Sequence, residues 1–223
     1  MPEPQHTALI AELEAHIARR DRTGAVRAVT AAVRDGRAEL DDVFSRVLIP
    51  VLVSTGDQWA AGSKRIWEEH LTSSIVRTVV ESLTVDVADA AARVTPVGRT
   101  VLLACPSGEQ HDLGLRMLTN RLLLRGWDAH FLGADTPALE VVAAARAVSA
   151  DLVVLSAATA YNLVILRAYV DEVKAGLPGV QVGVGGPAFA CNHNWAAEDL
   201  LVLHELGIDD DPSGACELPG TEA

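Results

Sequence analysis

The hydrophobic pattern of this sequence changes near residue 93. After the segment RVTPVGR (residues 93–99), stretches of helical spacing separate four short apolar runs, which are TVLLAC, WDAHFLG, DLVVLSA and VQVGVGG. Strands that alternate with helices form parallel sheets covered on both faces. A fifth, very short strand is expected at Ile208. The pattern therefore predicts a doubly wound, flavodoxin-like (Rossmann-like) five-stranded parallel sheet over residues 93–211.

The part of the chain before residue 93 is predicted to be helical. Apolar residues recur at helical spacing in four segments: ALIAELEAHIARR, GAVRAVTAAVRDG, LDDVFSRVLIPVLVSTG and the long SKRIWEEHLTSSIVRTVVESLTVDVADAAA. Pro50 is expected to bend or shorten the third helix. Four helices of this length predict a bundle over residues 1–92. Residues 212–223 are polar and contain Gly and Pro, so a flexible tail is expected there.

Composition narrows the classes of function. The net charge of −12 argues against direct nucleic-acid binding, which requires clustered Lys and Arg. No apolar run approaches the roughly eighteen residues of a membrane span, and the N-terminus lacks the layout of a secretory signal, so a cytoplasmic location is expected. The three cysteines show neither CxxC spacing nor a disulfide framework. No nucleophile elbow, HExxH or phosphate-binding glycine loop stands out, so enzymatic turnover is not predicted.

The segment EQHDLG (residues 109–114) follows the first predicted strand and precedes a predicted helix. In open parallel sheets, ligands bind beyond the carboxyl ends of the strands, and the loop after DLVVLS and the GG after VQVGV fall at the same edge. A neutral imidazole such as His111 can bind a metal, and a nearby carboxylate such as Glu109 can fix its tautomer. Gly114 allows the backbone to approach a bulky ligand.

The spacing of these residues resembles that of cobalamin-binding domains with a DxHxxG, then SxL, then GG pattern. Forty-one residues separate Gly114 from Ser156, and twenty-six separate Ala158 from Gly185. The resemblance implies that His111 replaces the cofactor's own base as the lower axial ligand of cobalt, with Glu109 as its hydrogen-bond partner. It also implies that Ser156 donates a hydrogen bond to the nucleotide tail, and that the tail lies against a smooth wall formed by the glycine pair Gly185-Gly186.

The sequence departs from the family pattern at two positions, and the glycine pair and Ser156 each have a simpler structural explanation. Glu109 stands where the pattern has Asp, and Ala158 stands where it has Leu, whereas LGADTP (132–137) and GGPAF (185–189) also look familial. The glycine pair could instead form only a tight turn after a strand. Ser156 could be a strand-end serine that bonds to the backbone.

The helical part contains Trp59, nine further residues and then Glu69-His70. This Wx9EH pattern resembles the bundle of CarH-type photoreceptors, which sense light with adenosylcobalamin. The resemblance implies that Trp59, Glu69 and His70 cap the adenosyl group on the upper face of the corrin. The alternatives are a core tryptophan and a solvated helix face. Ala60 stands where these photoreceptors commonly have a second His that binds cobalt after photolysis, so such an adduct is not assumed.

These resemblances imply a light sensor without the regulators' DNA-binding domain, either a stand-alone protein or an excised sensory fragment. Breakage of the Co–C bond would change the packing of the bundle, and the output would be altered homo-oligomerisation or binding to a protein partner such as a transcription regulator. A second hypothesis is a corrinoid protein that carries methyl groups between methyltransferases, with methylcobalamin as its cofactor. A third is a cobalamin carrier or mutase-like cofactor domain, although mutases need a separate catalytic barrel.

Overall fold

The computed structural model describes residues 4–189. The chain divides into two compact units, residues 1–93 and 94–223. Among the described residues, no helix combines the length and the apolarity needed to cross a bilayer.

The first unit is helical throughout. Its elements are α1 (Pro4–Ala18), α2 (Arg22–Arg34), α3 (Leu40–Asp42), a π-helical segment (Val43–Leu48), α4 (Ile49–Ala60), α5 (Ile66–Ser82) and α6 (Thr84–Ala91). Its core consists of aliphatic side chains and one aromatic side chain that are almost completely buried, including Leu13, Val29, Phe44, Leu48, Ile75 and Val79. Burial of one stripe of each amphipathic helix accounts for the bundle.

Two details of the bundle differ from the sequence-based expectation. The irregularity expected at Pro50 lies before it, in the π-helical segment, which ends with the Ile49 N–H donating to Phe44 O. Pro50 is the second residue of α4 and has no N–H to donate. The predicted long final helix is divided at Leu83, which is fully buried. Hydroxyl groups compete for carbonyls at this break, because Ser82 Oγ donates to Val79 O at 2.7 Å and Thr84 Oγ1 donates to Glu81 O at 2.7 Å.

The second unit is an α/β domain with a parallel sheet. Its elements are β1 (Thr100–Pro106), α7 (Leu113–Leu123), β2 (Asp128–Thr136), α8 (Ala138–Ala147), β3 (Leu152–Ser156), α9 (Ala160–Gly176), β4 (Gln181–Gly185) and a 3₁₀ turn (Pro187–Phe189). The strand order is β2-β1-β3-β4, and all three pairings are parallel. The doubly wound α/β prediction is confirmed with four strands. The fifth strand expected at Ile208, the remainder of the domain and the expected tail lie outside the described residues.

Alternate residues of the two central strands face opposite layers of the domain. One layer packs with α8 and α9, and its strand residues are Leu102, Ala104, Val153 and Leu155. The other packs with α7, and its strand residues are Val101, Leu103, Cys105, Leu152 and Val154. Burial on both faces explains why these strands read as continuous apolar runs in the sequence.

The strand order creates a topological switch point between β1 and β3. The chain moves from β1 to the neighbouring edge strand β2, and then returns past β1 to β3. In open parallel sheets, ligands bind at such a point, beyond the carboxyl ends of the two strands. Residues 107–112 and residues 157–159 lie at this edge.

Candidate functional site

The loop between β1 and α7 carries a buried carboxylate beside an exposed imidazole. Glu109 is buried, and its backbone N–H donates to Pro106 O at 2.9 Å, which forms a tight turn after the strand. Its Oε1 accepts two hydrogen bonds from His111, at 2.9 Å from the backbone N and at 2.6 Å from Nδ1. The structure thus brings together the two residues that the sequence analysis paired.

The second oxygen of Glu109 is held by the segment that follows β3. Glu109 Oε2 accepts hydrogen bonds from the backbone N–H of Ala158 at 2.8 Å and from Nδ2 of Asn162 at 2.6 Å. Asn162, in the first turn of α9, was not found by the sequence analysis. The signal that could have located it is the parallel pairing of β1 with β3, which places the two following loops side by side.

Four hydrogen bonds outweigh the cost of burying the Glu109 charge. Burial by itself raises the pKa of this carboxyl group. The hydrogen bonds from the His111 side chain, the Ala158 and His111 backbones and the Asn162 side chain lower the pKa to about 2. Glu109 is therefore an anion at neutral pH and can only accept hydrogen bonds.

The imidazole of His111 is oriented by this anion while much of its ring stays exposed. The His111 side chain is 63% exposed and the Glu109 side chain is 1% exposed. Because a carboxylate only accepts, Nδ1 of His111 is the protonated nitrogen in this pair, and the lone pair of the neutral ring lies on Nε2. An imidazole held in this way can complete the coordination of a metal that arrives with its other ligands already bound.

Asp135, in the segment LGADTP, holds the same loop from the side of β2. Its Oδ1 accepts a hydrogen bond from Gly108 N at 2.8 Å, and its own N–H donates to Glu109 O at 3.0 Å. Asp135 has a φ of 52°, a left-handed conformation that Asp tolerates better than most residues. The loop that bears Glu109 is therefore fixed by the ends of both neighbouring strands.

The glycine pair and Ser156 lie together at the carboxyl edge of the sheet. Ser156 is buried and pairs with Gly185 in the β3–β4 register. At Gly186, with a φ of +107°, a Cβ would meet Ala157 O at 2.5 Å and Ser156 Oγ at 2.8 Å. At Gly185 and at Gly114, a Cβ would meet no atom of residues 4–189 within 4 Å. Gly186 is thus required by the fold of this edge, whereas Gly185 and Gly114 border open space.

The residues of the predicted cap lie on two neighbouring helices of the bundle. Trp59 is near the end of α4 and is 50% exposed, so it is not a core residue. Glu69 and His70 are in the first turns of α5, with Glu69 Oε2 3.5 Å from His70 Nε2. Ser73 Oγ donates to Glu69 Oε1 at 2.6 Å, which fixes the Glu69 carboxylate, while the His70 side chain is 70% exposed.

The surroundings of Cys105 and Trp67 favour structural roles for these two residues. Burial, assisted by the negative charges of Glu109 and Asp112, raises the pKa of the Cys105 thiol to about 12, so this cysteine is an inert core residue. Trp67 is occupied by the guanidinium of Arg20, which lies 5.4 Å from its ring centroid. Within residues 4–189, no group of three or more His, Cys, Asp or Glu side chains could hold a metal ion by itself.

The α/β unit fits a cobalt corrin on its own geometry. The corrin ring supplies four ligands to cobalt, so a protein site for it needs one more donor, and the exposed His111 imidazole, oriented by Glu109, fits that need. A bulky ligand also needs open space near the backbone, and within the described residues a Cβ at Gly114 or Gly185 would meet no atom within 4 Å. Gly186 keeps the end of β4 close to β3 without a side chain that would obstruct the edge.

Comparisons with known proteins agree with this geometry. Residues 99–210 match the family described as B12 binding domain, and residues 9–84 match a second family model of the same description. The chain is 32% identical over 170 residues to the HTH-type transcriptional repressor CarH of Myxococcus xanthus, a match that covers 75% of this chain and 54% of the repressor. The chain therefore spans about half the length of that relative.

Two corrinoid proteins are also similar. The chain is 26% identical over 163 residues to dimethylamine corrinoid protein 1 of Methanosarcina acetivorans. This match covers 71% of this chain and 76% of that protein. The structure of the monomethylamine corrinoid protein of Methanosarcina barkeri superposes with a TM-score of 0.70 over 91% of each chain at 19% identity, which shows a shared fold. The family matches support cobalamin as the cofactor. This chain belongs to the B12-binding domain family, as a cobalamin-binding module of the CarH type.

Proposed function

We propose that this chain is a light sensor with adenosylcobalamin as its chromophore and His111 as the lower axial ligand of cobalt. The observation that carries the proposal is the His111–Glu109 pair at the β1–β3 switch point, where an exposed imidazole is fixed by a buried anion. Bound adenosylcobalamin would supply visible absorption and a cobalt–carbon bond that light can break, which no natural side chain provides.

On the lower side, each residue has a physical role in the proposal. Glu109 keeps the proton of His111 on Nδ1 and thereby directs the Nε2 lone pair to cobalt. Gly114 and Gly185 leave space for the ring and the nucleotide tail, because neither has a side chain to exclude them. Ser156 donates a hydrogen bond to the tail at the edge that it shares with the glycine pair.

On the upper side, the bundle contributes the groups that distinguish adenosyl from smaller ligands. The half-exposed ring of Trp59 can bury apolar area against an adenine at low cost in side-chain entropy. The Glu69 carboxylate, held by Ser73, can accept hydrogen bonds from ribose hydroxyls, and His70 crowds the same region. Loss of the adenosyl group would remove these contacts, and the free energy of these contacts would be the difference that shifts the bundle to another packing state.

The output in this proposal is a change of self-association or of binding to a protein partner such as a transcription regulator. The similarity to a repressor motivates this output, although the matched region is about half of that repressor. The net charge of −12 favours a protein surface over nucleic acid as the direct contact of this region. Cofactor binding and switching, rather than catalytic turnover, is the expected activity.

A methyl-carrying corrinoid protein is the second candidate. The match to the dimethylamine corrinoid protein, which extends over 76% of that protein's length, favours it. A carrier needs an upper face open to methyl donors and acceptors, and should bind methylcobalamin at least as well as the adenosyl form. In contrast, the proposed cap of Trp59, Glu69 and His70 favours an upper ligand that is bulkier than methyl.

The test is illumination of the full chain loaded with adenosylcobalamin in darkness. The absorption spectrum and the molar mass by light scattering are recorded before and after green light. Because the free cofactor is also photolysed, the deciding readout is the mass, with hydroxocobalamin-loaded protein as the illuminated control. The proposal predicts a light-dependent change of mass in the adenosyl-loaded sample alone. An unchanged mass, together with preferential binding of methylcobalamin, would support the carrier instead.

A further inference from the structure

A glycine lies inside α4, one helical turn before Trp59. Gly56 is the eighth of the twelve residues of this helix and is half-buried. We propose that Gly56 determines specificity for the upper ligand of cobalamin: its missing side chain leaves a slot beside Trp59 that admits the adenosyl group. This inference rests on the proposed function, in which Trp59, Glu69 and His70 cap that group.

The fold of the bundle does not require a glycine at position 56. Among the described residues, a Cβ at Gly56 would meet no atom within 4 Å, so close packing does not exclude a side chain. The φ of Gly56 is not in the left-handed region, so the backbone also accepts other residues. Glycine nevertheless destabilises a helix interior relative to alanine. A glycine that weakens its helix without serving packing or conformation points to a ligand that approaches the backbone closely.

Three other glycines lie within the described helices and provide a comparison. At Gly24 and at Gly176, a Cβ would collide with neighbouring side chains, so packing requires these two glycines. Gly114 has open space like that at Gly56, and it lies three residues after His111, the proposed lower ligand. The two helical glycines that packing does not explain therefore lie near the residues proposed for the lower and the upper side of the cofactor.

The slot beside Trp59 has an apolar lining. Val53, Gly56 and Trp59 are spaced three residues apart, so they form one row on the surface of α4. Val53 is 53% exposed and Trp59 is 50% exposed, so both offer uncovered apolar surface. Because long helical side chains lean toward the N-terminus of the helix, the turn that contains Gly56 borders the indole of Trp59. The backbone at Gly56 forms the floor between the two side chains.

This slot would distinguish upper ligands by their size. An adenosyl group carries a ribose and a flat purine, and a purine edge in the slot would gain apolar contact with Val53 and Trp59. A methyl group on cobalt has no part that could reach the slot. A side chain at position 56 would occupy the floor, and methyl groups added to a closely packed contact typically change an equilibrium constant by roughly 5- to 150-fold.

The test compares three variants of the full chain. Gly56→Ala adds one methyl group, and Gly56→Leu adds a larger side chain. Asp57→Ala is the matched control, because it also raises helix propensity in the same turn. Asp57 is exposed, and its side chain leaves the helix about 100° away from the direction of position 56.

The first readout needs no cofactor. In urea unfolding, the folding equilibrium constant of Gly56→Ala should be roughly fivefold higher than that of the parent chain, because alanine replaces a glycine in a helix without a clash. The second readout is titration in darkness with adenosylcobalamin and with methylcobalamin. The affinity for adenosylcobalamin should fall roughly tenfold in Gly56→Ala and further in Gly56→Leu, with methylcobalamin binding within about twofold of the parent. Asp57→Ala should bind both cofactors like the parent.

The outcomes separate this inference from the proposed function. Parent-like affinity for adenosylcobalamin in both Gly56 variants, together with a loss in Trp59→Ala, would overturn the inference and leave the proposed cap in place. Equal losses for the two cofactors, or a Gly56→Ala variant less stable than the parent, would also overturn it. If Gly56→Leu does not fold, Gly56→Ala decides by the same criteria. If neither Trp59→Ala nor the Gly56 variants change the binding of either cofactor, the proposed cap itself fails and the inference fails with it.

Discussion

Glu109 Oε1 lies 2.6 Å from Nδ1 of His111, although one side chain is 1% exposed and the other 63%. This pair crosses the boundary between the interior of the α/β unit and its surface. A buried anion is costly unless its hydrogen bonds are complete, and here both oxygens are fully used within the described residues. The interior therefore fixes the orientation of a ring that remains accessible to a ligand.

The Glu109 carboxylate predicts an acid-dependent contribution to stability. Its pKa is about 2 in the folded chain and 4.5 ordinarily, so ionised Glu109 stabilises the fold above pH 4.5 by about 3 kcal/mol. Because the folded pKa is depressed, this contribution is lost as the pH falls from about 4.5 to about 2. Glu109→Gln should unfold at lower urea than the parent at neutral pH, and the difference should shrink across that window.

The control for this prediction is Glu140→Gln, which changes an exposed carboxylate in α8. Its free energy of unfolding should stay within about 0.5 kcal/mol of the parent. Equal stability of Glu109→Gln and the parent at neutral pH would show that the four hydrogen bonds do not stabilise the fold as argued.

Substitutions at the glycine pair should separate folding from ligand binding. Gly186→Ala forces a side chain into a φ of +107° and against Ala157 O, so we expect a loss of at least about 2 kcal/mol of stability. In Gly185→Ala the new Cβ meets no atom of the described part of the chain within 4 Å, so stability should stay within about 0.5 kcal/mol of the parent while cobalamin binding weakens. Urea unfolding and cobalamin titration of both variants check this. Unchanged affinity in Gly185→Ala would argue against the nucleotide tail lying there.

The two exposed tryptophans of the bundle provide a matched test of the cap. If Trp59 caps the adenosyl group as proposed, Trp59→Ala should lower the affinity for adenosylcobalamin roughly tenfold and leave methylcobalamin binding nearly unchanged, because methylcobalamin lacks that group. Trp67, 47% exposed and stacked with Arg20, should be neutral for both cofactors. Titrations of both variants with both cofactors in darkness decide this. Equal losses for the two cofactors would remove Trp59 from the cap.

The sequence predicted the site residues that lie close together in one segment. It did not predict a residue whose contact with that segment joins distant parts of the chain. EQHDLG was recognised because a carboxylate and an imidazole lie two residues apart in a turn. Asn162 was missed because its contact with Glu109 requires β1 and β3 to be neighbours. The same contacts explain both departures from the cobalamin-binding pattern. The longer Glu109 reaches the β3–α9 segment, and Ala158 contributes its backbone N–H, which every residue type except proline also provides.

The break between α5 and α6 shows a feature that hydrophobic periodicity does not predict. The apolar stripe continues from α5 into α6, so the pattern alone reads as one helix. The break at Leu83 depends on hydroxyl groups that bond to nearby carbonyls and on burial of Leu83 itself, and neither is visible as a change of period. In contrast, the central strands β1 and β3 were correctly located because burial on both faces leaves a continuous apolar run.

The central claim, that a His111 nitrogen binds cobalt from below, is tested most directly by electron paramagnetic resonance of the reduced, cobalt(II) form of the bound cofactor. An axial nitrogen-14 splits each cobalt line into a triplet, and nitrogen-15 splits it into a doublet. With unlabelled cobalamin and nitrogen-15-labelled histidine, the account predicts doublets that disappear in His111→Ala. Triplets in the labelled parent chain would mean that the cofactor's own base remains bound, and would contradict the account.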